Sequence, residues 1–398
     1  MTRTDIPIAR EIRIPDPACV ARALRAPDLG PRILFFTGGT ALTETSRALV
    51  GYTHNSAHLV TPFDSGGSSA VLRRRFDMPA VGDLRNRLMA LADRTRHGFP
   101  EIYDLFAHRL PKNAPPAQLR NELETLAHGS HPLIAKVSVP LRNTVRHHLQ
   151  IFQQAAGPQF DLRGACIGNL FLTAGYLENG RNLDPIVDIF SALVQARGQA
   201  RLLLDSNLQL RALLEDGRDV IGQHLITGKE TKPLNSAIAE LCLVDQALDN
   251  APVRPPIREE IRACIGGADL ICYPIGSFYS SLIANLLPAG VGAAISRTSC
   301  PKVYVPNTLP DPEAIGLSLA DQVRTLLRHL RADDPDAIAI GDVLDVVLLD
   351  PGIDYPGSEN PDRELASLGL RIIRTPLTVR ETGAIDPLLL SQALISLA

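Results

Sequence analysis

The chain lacks several features that would assign it to a specialised class of protein. No apolar run reaches the roughly 18 residues of a membrane-spanning helix, and residues 1–13 hold no apolar signal-peptide core. The six cysteines are scattered without a C-x-x-C pair, which disfavours a zinc site and favours reduced, buried thiols. A formal net charge of −3 gives no reason to expect a nucleic-acid partner. We therefore expect a cytoplasmic protein that binds neither membranes nor nucleic acid.

The segments that are present alternate between strand-like and helical patterns. Residues 32–36 are predicted to form a short strand buried on both faces, because the four residues after Arg32 are all apolar, and a glycine turn and a helix over 41–50 follow it. A second strand is predicted at 57–63. Later strands, separated by helices, are predicted at 268–273, 302–305, 343–349 and 371–374. This alternation predicts an α/β fold with a mainly parallel sheet and helices on both faces.

Three stretches depart from the alternation. Residues 1–30 are weakly periodic and are interpreted as an N-terminal arm before a single α/β domain over 31–398. Residues 93–157 contain no strand-like run, which indicates either a helical insertion over one end of the sheet or helices that belong to its ordinary layers. Asp216-Gly217, between apolar residues of 210–226, predicts a small antiparallel hairpin.

The first candidate site segment is Thr37-Gly38-Gly39-Thr40, at the carboxyl end of the first strand. Ligands of open parallel sheets bind at these strand ends, and glycines let backbone N–H groups approach an anion beside a helix N-terminus. The segment lacks the third glycine of a dinucleotide fingerprint and the lysine of a P-loop, which also disfavours an NAD(P) oxidoreductase. A tight turn between strand and helix is the alternative interpretation.

Two more polar segments follow predicted strand ends. Asp64-Ser65-Gly66-Gly67-Ser68-Ser69 places a carboxylate before glycines and hydroxyls, which suits a divalent ion with phosphate, although Ser68 or Ser69 could instead cap a helix. The arginines of 73–75 are either a solvated helix face or a phosphate clamp. Asp83, in Gly82-Asp83-Leu84-Arg85-Asn86, is a predicted helix cap and a second candidate carboxylate.

Taken in order, these motifs resemble a known superfamily, that of phospholactate transferases (CofD) and gluconeogenesis factors of the YvcK type (UPF0052). Further matching segments are Gly168-Asn169, the Asp-Gly hairpin, Gly276-Ser277-Phe278-Tyr279 and Asn307, so the resemblance covers about residues 32–307. It implies a Rossmann-like three-layer α/β/α core that binds a nucleotide-derived ligand between strand ends. A homodimer is the common default for such proteins.

The two branches of the superfamily imply two functions. In the transferase branch, Mg²⁺ assists transfer of a phosphoryl-linked lactate group from a guanosine diphosphate carrier to a deazaflavin hydroxyl. In the YvcK branch, the pocket binds uridine-diphosphate sugars and the protein regulates carbon and cell-wall metabolism without catalysis. The carried-over roles are Mg²⁺ binding by Asp64 and Asp83, charge compensation by Arg85, and ligand contacts by Gly38, Gly39, Thr40, Ser65, Gly66, Gly67, Ser68, Ser69, Arg73, Asn86, Asn169, Gly276, Ser277 and Tyr279.

The sequence also departs from the superfamily pattern. Phe63 stands where the acidic motif has its first Asp, Ser65 separates Asp64 from Gly66, and Ile275 replaces a glycine before Gly276. Loss of a carboxylate weakens the implied metal site, and loss of a glycine re-aims the ligand loop. His224, near the hairpin end, is interpreted as structural, and Tyr279 either stacks on a base or belongs to the core.

Overall fold

The structure, a computed structural model, describes residues 13–94, 98–228, 233–357 and 361–398. Its strands are β1 (Ile33–Thr37), β2 (Ala57–Val60), β3 (Gln199–Leu202), β4 (Gln209–Leu214), β5 (Asp219–Ile221), β6 (Ile238–Asp245), β7 (Ala251–Val253), β8 (Leu270–Tyr273), β9 (Lys302–Tyr304), β10 (Val346–Leu349) and β11 (Arg371–Arg374).

The α-helices of the described residues are α1 (Pro17–Arg25), α2 (Thr43–Leu49), α3 (Gly67–Phe76), α4 (Gly82–Ala90), α5 (Pro100–Ala107), α6 (Pro116–His128), α7 (Pro132–Ala135), α8 (Val139–Ala156), α9 (Ile167–Glu178), α10 (Asp184–Val194), α11 (Gln223–Ile226), α12 (Glu259–Gly266), α13 (Val291–Ser296), α14 (Leu319–Leu330), α15 (Ile340–Val343), α16 (Pro361–Ser367) and α17 (Pro387–Leu397). None of them is long and apolar enough to cross a membrane.

Seven strands form one parallel sheet in the order β11-β10-β9-β8-β1-β2-β3. The central strands are apolar along their length because both faces are covered, and all five residues of β1 are buried. The chain first builds outward from β1 through β2 and β3, then returns to the other side of β1 at β8. This change of direction leaves a crevice at the carboxyl ends of β1 and β8, where open α/β sheets bind ligands.

One face of the main sheet carries a second, antiparallel sheet. The predicted hairpin is present as β4 and β5, with Gly217 in its turn at φ +83°, and it extends into four strands in the order β5-β4-β6-β7. Leu210, Ala212 and Leu214 alternate toward the shared core, as a half-buried strand requires. The sequence analysis missed β3, β6 and β7, because these strands are short or carry charges on an exposed face.

The other face of the main sheet is covered by helices. Helices α5 to α8 occupy residues 100–156 and share a core with α9, α10 and the sheet residues Val60, Ala200 and Leu202. Helices α1, α2 and α17 cover β1, β8 and β10 on the same side. Helices α12, α13 and α14 pack beside the antiparallel sheet on the first face. Helices on both faces of the main sheet confirm the predicted α/β/α fold class.

Three predicted elements differ in detail. Within the proposed N-terminal arm, residues 13–30 contain helix α1, which begins after Asp16 and is attached to α17 by a 2.8 Å hydrogen bond from the Asp16 N–H to Ser396 Oγ. The rest of the arm lies outside the described residues. The strand predicted from 343 begins at Val346, because α15 occupies the preceding residues. A π-helical turn (Phe278–Leu282) and a 3-10 turn (Ile283–Leu286) replace the regular helix predicted after β8.

Helices α13 and α14 pack so closely that their contact tests the fold. A Cβ on Gly292 would lie 1.9 Å from the carbonyl oxygen of Leu330, a backbone atom that cannot rotate away. We expect Gly292→Ala to lower the free energy of unfolding by about 1–3 kcal/mol through overpacking, measured by urea denaturation. Gly341→Ala in α15, where a Cβ meets open space, is the control and should stabilise the protein by roughly 0.4–1 kcal/mol. Equal effects of both substitutions would contradict the packing.

Candidate functional site

The loops that follow β8, β1 and β2 meet around one small cavity at the carboxyl edge of the main sheet. Its volume is about 140 Å³. It is lined by Gly39, Thr40, Asp64, Gly66, Asp83, Gln223, His224, Thr227, Ser277, Ser280 and Ser281. We call this space the strand-end cavity. It brings together the three polar segments that the sequence analysis selected separately.

The glycine segment after β1 is shaped by close contacts. A Cβ on Gly38 would lie 2.4 Å from Ser281 Oγ, so this position accepts only glycine without a shift of the neighbouring turn. A Cβ on Gly39 would lie 3.7 Å from Asp83 Oδ1, which shows how near the Asp83 carboxylate approaches. The glycines thus allow the β1 loop to lie against both the turn after β8 and the start of α4.

A buried arginine that the sequence analysis missed supports this loop. Arg87 in α4 donates hydrogen bonds to Thr37 Oγ1 at 2.8 Å, to the Leu42 carbonyl at 3.0 Å and to Ser46 Oγ. Burial lowers the pKa of its guanidinium to about 10, while the charge of Asp83 acts in the opposite direction. Arg87 therefore remains charged at neutral pH and fixes the first turn after β1 by charge-assisted hydrogen bonds.

The acidic segment after β2 lies against the start of α4. Asp64 Oδ1 accepts a hydrogen bond from the Gly66 N–H at 3.1 Å. A Cβ on Gly82 would lie 2.7 Å from Ser69 Oγ, 3.2 Å from Asp64 Oδ2 and 3.9 Å from Asn169 Nδ2. Those three side chains, distant in sequence, therefore surround Gly82. Asn169 is buried, and its Oδ1 has no hydrogen-bond partner among the described residues.

The predicted capping roles in these segments are wrong. Helix α3 begins at Gly67 after Gly66, which has no capping side chain, so neither Ser68 nor Ser69 caps it. Helix α4 begins at Gly82 after Val81, and Asp83 lies inside its first turn. A carboxylate in the first turn still interacts favourably with the helix dipole. The first turns of α3 and α4, which lie close to Asp64 and Asp83 in the chain, have backbone N–H groups without partners inside their helices.

Two arginines that the sequence analysis assigned to the ligand make contacts within the protein instead. Arg73 is buried and donates to the carbonyls of Phe63 at 3.1 Å and Asp64 at 3.2 Å, so it holds the acidic segment from behind. If Arg73 contacted a phosphate, it would have to give up hydrogen bonds to these carbonyls. Arg85 is buried against α9, where a Cβ on Gly168 would lie 2.8 Å from its Cδ. Arg85 and its hydrogen-bond partner Asn86 are outside the residues that line the strand-end cavity.

The segment after β8 is held by side chains from the loop that follows β9. Asn307 accepts from the Gly276 N–H at 2.9 Å and donates to the Gly276 carbonyl at 2.7 Å. Gly276 adopts φ +148°, which favours glycine. Asp311 accepts from the Phe278 N–H at 2.7 Å. Of these supports, the sequence analysis had identified only Asn307.

Glu313 completes this support from inside the protein. It accepts hydrogen bonds from the N–H groups of Tyr279 at 3.0 Å and Ser280 at 2.7 Å, and from Ser280 Oγ at 2.6 Å. Burial, followed by the charge of Asp311, raises the pKa of Glu313 to about 7. Tyr279 is 3% exposed and donates its hydroxyl to the Ile238 carbonyl, so its ring belongs to the core.

His224 lines the strand-end cavity from the opposite side, on α11 after the hairpin. Its Nδ1 lies 2.8 Å from Ser65 Oγ, and its backbone N–H donates to the same oxygen at 3.1 Å. This pair links the antiparallel sheet to the acidic segment after β2. Neither partner predicts the other in the sequence, because 159 positions separate them.

The cavity has carboxylates suitable for a divalent cation. Among the described residues there is no group of three or more His, Cys, Asp or Glu side chains arranged for a metal. Mg²⁺ in nucleotide sites commonly uses one or two carboxylates together with substrate phosphates, however. Asp64 and Asp83 both line the cavity, so the residues present fit a Mg²⁺ ion that a bound diphosphate would help to coordinate.

Fold and site together define a Rossmann-like α/β protein with a polar cavity at a topological switch point. The model of the family "2-phospho-L-lactate transferase CofD" matches residues 33–377, and the chain belongs to this family. The gluconeogenesis factor of Bacillus subtilis is 26% identical over 360 residues, which cover 89% of this chain and 93% of that protein.

Other relatives carry the same description. The gluconeogenesis factor of Listeria monocytogenes is 27% identical across 75% of this chain and 74% of its own length. A protein of Nostoc, to which the name gluconeogenesis factor is given provisionally, is 30% identical to this chain over 75% of the chain's length. The Nostoc protein is longer, and the matched region spans only 52% of it. The crystal structure of a Bacillus halodurans member of the UPF0052 family has a TM-score of 0.64, 23% identity, and coverage of 92% of this chain and 99% of its own. That likeness confirms the fold.

The raised pKa of Glu313 predicts a pH-dependent stability. Between about pH 4.5 and 7 the folded protein holds a proton that the unfolded chain releases, so the free energy of unfolding should fall as pH rises through this window. The loss is on the order of 3 kcal/mol. Glu313→Gln, which cannot ionise, should remove this part of the profile.

The measurement is urea unfolding of both proteins at pH 5, 6, 7 and 8. The difference in stability, wild type minus Glu313→Gln, should decrease with pH, because contributions from histidines cancel in the comparison. Glu215→Gln, at an exposed side chain, is the control and should follow the wild type. A difference that stays constant with pH would show that Glu313 titrates in its ordinary range.

Proposed function

We propose that the chain binds the diphosphate of a nucleotide-linked ligand in the strand-end cavity, with the rest of the ligand outside it, and catalyses Mg²⁺-dependent transfer of a phosphorus-containing group. The observation that carries the proposal is the convergence of Gly39, Asp64, Asp83 and Ser277 on one cavity at the β1–β8 switch point. Backbone N–H groups, hydroxyls and carboxylates in such a place suit a Mg²⁺-bound diphosphate. Membership of the CofD family supports the same reaction class.

Each part of the cavity has a distinct task in this proposal. Asp64 and Asp83 would hold Mg²⁺, which would neutralise charge on the diphosphate. The Gly38-Gly39 backbone and the N-terminal turns of α3 and α4 bind and orient phosphate oxygens. Arg87 and Arg73 keep the two phosphate-facing loops in place from behind, so little reorganisation is needed when the ligand binds.

A second candidate is a non-catalytic sensor that binds a nucleotide sugar. Phe63, which replaces an acid of the superfamily motif, is wholly buried in the hydrophobic core, so it supplies no substitute ligand for a metal. The curated relatives named above are gluconeogenesis factors, a name that describes a metabolic role. This candidate uses the same cavity and requires tight binding without turnover.

Ligand-induced thermal stabilisation tests the shared part of both candidates. GDP, GTP, UDP, UDP-N-acetylglucosamine and NAD are each added with and without Mg²⁺. A ligand at 100 times its dissociation constant stabilises the folded state by about 2.7 kcal/mol, which raises the melting temperature. Asp64→Asn keeps the acceptor for the Gly66 N–H but removes the charge, so the Mg²⁺-dependent part of the shift should disappear.

Asp249→Asn is the matched control, since Asp249 is exposed and its left-handed backbone (φ +54°) tolerates asparagine. It should retain the full shift. Stabilisation that survives Asp64→Asn would remove Asp64 from the proposed metal site. Phosphorus NMR of the ligand, with a compound that supplies an acceptor hydroxyl, then separates the candidates. Cleavage of the diphosphate with formation of a new phosphate ester on the acceptor indicates transfer, and an unchanged spectrum favours a sensor.

A further inference from the structure

Glu313 is a buried carboxylate that one side chain separates from the strand-end cavity. Its Oε1 accepts a hydrogen bond from Ser280 Oγ at 2.6 Å, and Ser280 lines the cavity. Its Oε2 accepts from the N–H groups of Tyr279 at 3.0 Å and Ser280 at 2.7 Å. The two oxygens therefore differ in their partners, because one meets a hydroxyl that can rotate and the other meets fixed backbone donors.

The surroundings of Glu313 favour its neutral form. Asp311, in the same loop after β9, is the charged group that acts on it, and this negative charge adds to the effect of burial. From the turn after β8, Tyr279 and Ser280 face it with neutral hydrogen-bond donors, and the Tyr279 hydroxyl itself is bonded to the Ile238 carbonyl. Because the pKa of Glu313 is raised to about 7, both protonation states are populated at neutral pH.

The two protonation states of Glu313 give the Ser280 hydroxyl two different roles. When Glu313 is ionised, its Oε1 can only accept, so the Ser280 O–H donates to it. When Glu313 is neutral, the backbone donors already occupy Oε2, so the added proton lies on Oε1 and is donated to Ser280 Oγ. The Ser280 O–H is then free to donate to another acceptor. The hydrogen bond reverses its direction while the heavy atoms stay in place.

The lining of the strand-end cavity makes the charge of Glu313 matter for an anion. The described lining residues include two carboxylates, Asp64 and Asp83, and the imidazole of His224, but no lysine or arginine. In the proposed function, Mg²⁺ offsets the charges of Asp64 and Asp83, but no cation of the lining offsets a third negative charge behind Ser280. An ionised Glu313 therefore repels a diphosphate in the cavity, and a neutral Glu313 does not.

We propose that Glu313 takes up a proton when an anionic ligand enters the strand-end cavity, so that binding of the ligand weakens as the pH rises. This inference rests on the proposed function, because the anion is the diphosphate of the ligand proposed there. Glu313 is buried behind Ser280, so it is a positioning residue rather than a contact of the ligand. Thermodynamic linkage requires that protonation and anion binding favour each other by the same factor.

Calorimetry at pH 6, 7 and 8, with saturating Mg²⁺, tests the proposal. The probes are UDP-N-acetylglucosamine and GDP-mannose, because both phosphates of each are esterified and keep a constant charge over this range. An anion that makes protonation of Glu313 about tenfold more favourable lowers the affinity about fivefold between pH 6 and pH 8. Binding at pH 7 should also take up a fraction of a proton, which is measured as the difference in binding enthalpy between two buffers of different ionisation enthalpy.

Glu313→Gln is the decisive variant, because its amide has the hydrogen-bonding pattern of the neutral acid. The amide oxygen can accept from the two N–H groups of the turn while the amide NH₂ donates to Ser280 Oγ. Its affinity should stay constant from pH 6 to pH 8, and the proton uptake seen with the wild type should disappear. Glu215→Gln, which removes an exposed carboxylate, is the matched control and should keep the wild-type profile.

Ser280→Ala is a second variant, which should move the pH dependence rather than remove it. The Ser280 hydroxyl lowers the pKa of Glu313, so its loss should raise that pKa and shift the fall in affinity to higher pH. A merely structural role of Ser280 would change the affinity equally at every pH. Asp64, Asp83 and His224 also titrate in the cavity, but they are common to all these proteins and their contributions cancel in the comparison. This variant also protects the test against misfolding of Glu313→Gln.

An affinity of the wild type that is the same at pH 6 and pH 8 would overturn the role of Glu313. An affinity that falls with pH in Glu313→Gln as steeply as in the wild type would overturn it as well, because the proton would then belong to another group. Failure of the wild type to bind either probe at any pH is a different result, which would contradict the proposed function itself.

Discussion

The structure of the site depends on how the end of β1 is held. The Thr37 carbonyl accepts hydrogen bonds from the Thr61 N–H at 3.1 Å and from Asn285 Nδ2 at 3.0 Å, while the Thr37 hydroxyl accepts from Arg87. These donors come from the loop after β2, the turn after β8 and helix α4. Because one residue is bonded to all three, the loops that line the strand-end cavity are placed relative to each other by the end of a single strand.

Buried charge is the second constraint, and it explains why the site is built from rigid loops. Arg73, Arg85 and Arg87 are almost wholly buried, and burial lowers the pKa of each guanidinium, although they remain protonated at neutral pH. A buried cation is tolerable only when its donors are satisfied. Arg73 meets this condition with backbone carbonyls and the Asn207 side chain. Arg87 bonds through its two Nη atoms to the loop after β1 and to Ser46, while its buried Nε has no partner among the described residues. A shift of these loops would break charge-assisted hydrogen bonds.

The turn after β8 is held by carboxylates rather than by buried arginines. Its backbone N–H groups at 278–280 are already bonded to Asp311 and Glu313, so they are not free to bind a phosphate. In the function proposed above, the N–H groups for a phosphate would therefore come from the β1 loop and the starts of α3 and α4. The turn contributes hydroxyls instead, from Ser277, Ser280 and Ser281.

The sequence by itself determined the fold class and the loops of the site. Apolar runs such as 33–36 require two covered faces, and glycine-rich segments at their ends allow close backbone approach, so both features can be recognised locally. Only the tertiary structure decided which side chains support those loops. Arg87, Glu313 and the Ser65–His224 pair act across long sequence separations, and a buried arginine or glutamate looks like a solvated one until its neighbours are known. The assignment of Arg73 and Arg85 depended on the same information, because hydrogen-bond partners are set by packing between elements rather than by the pattern within one.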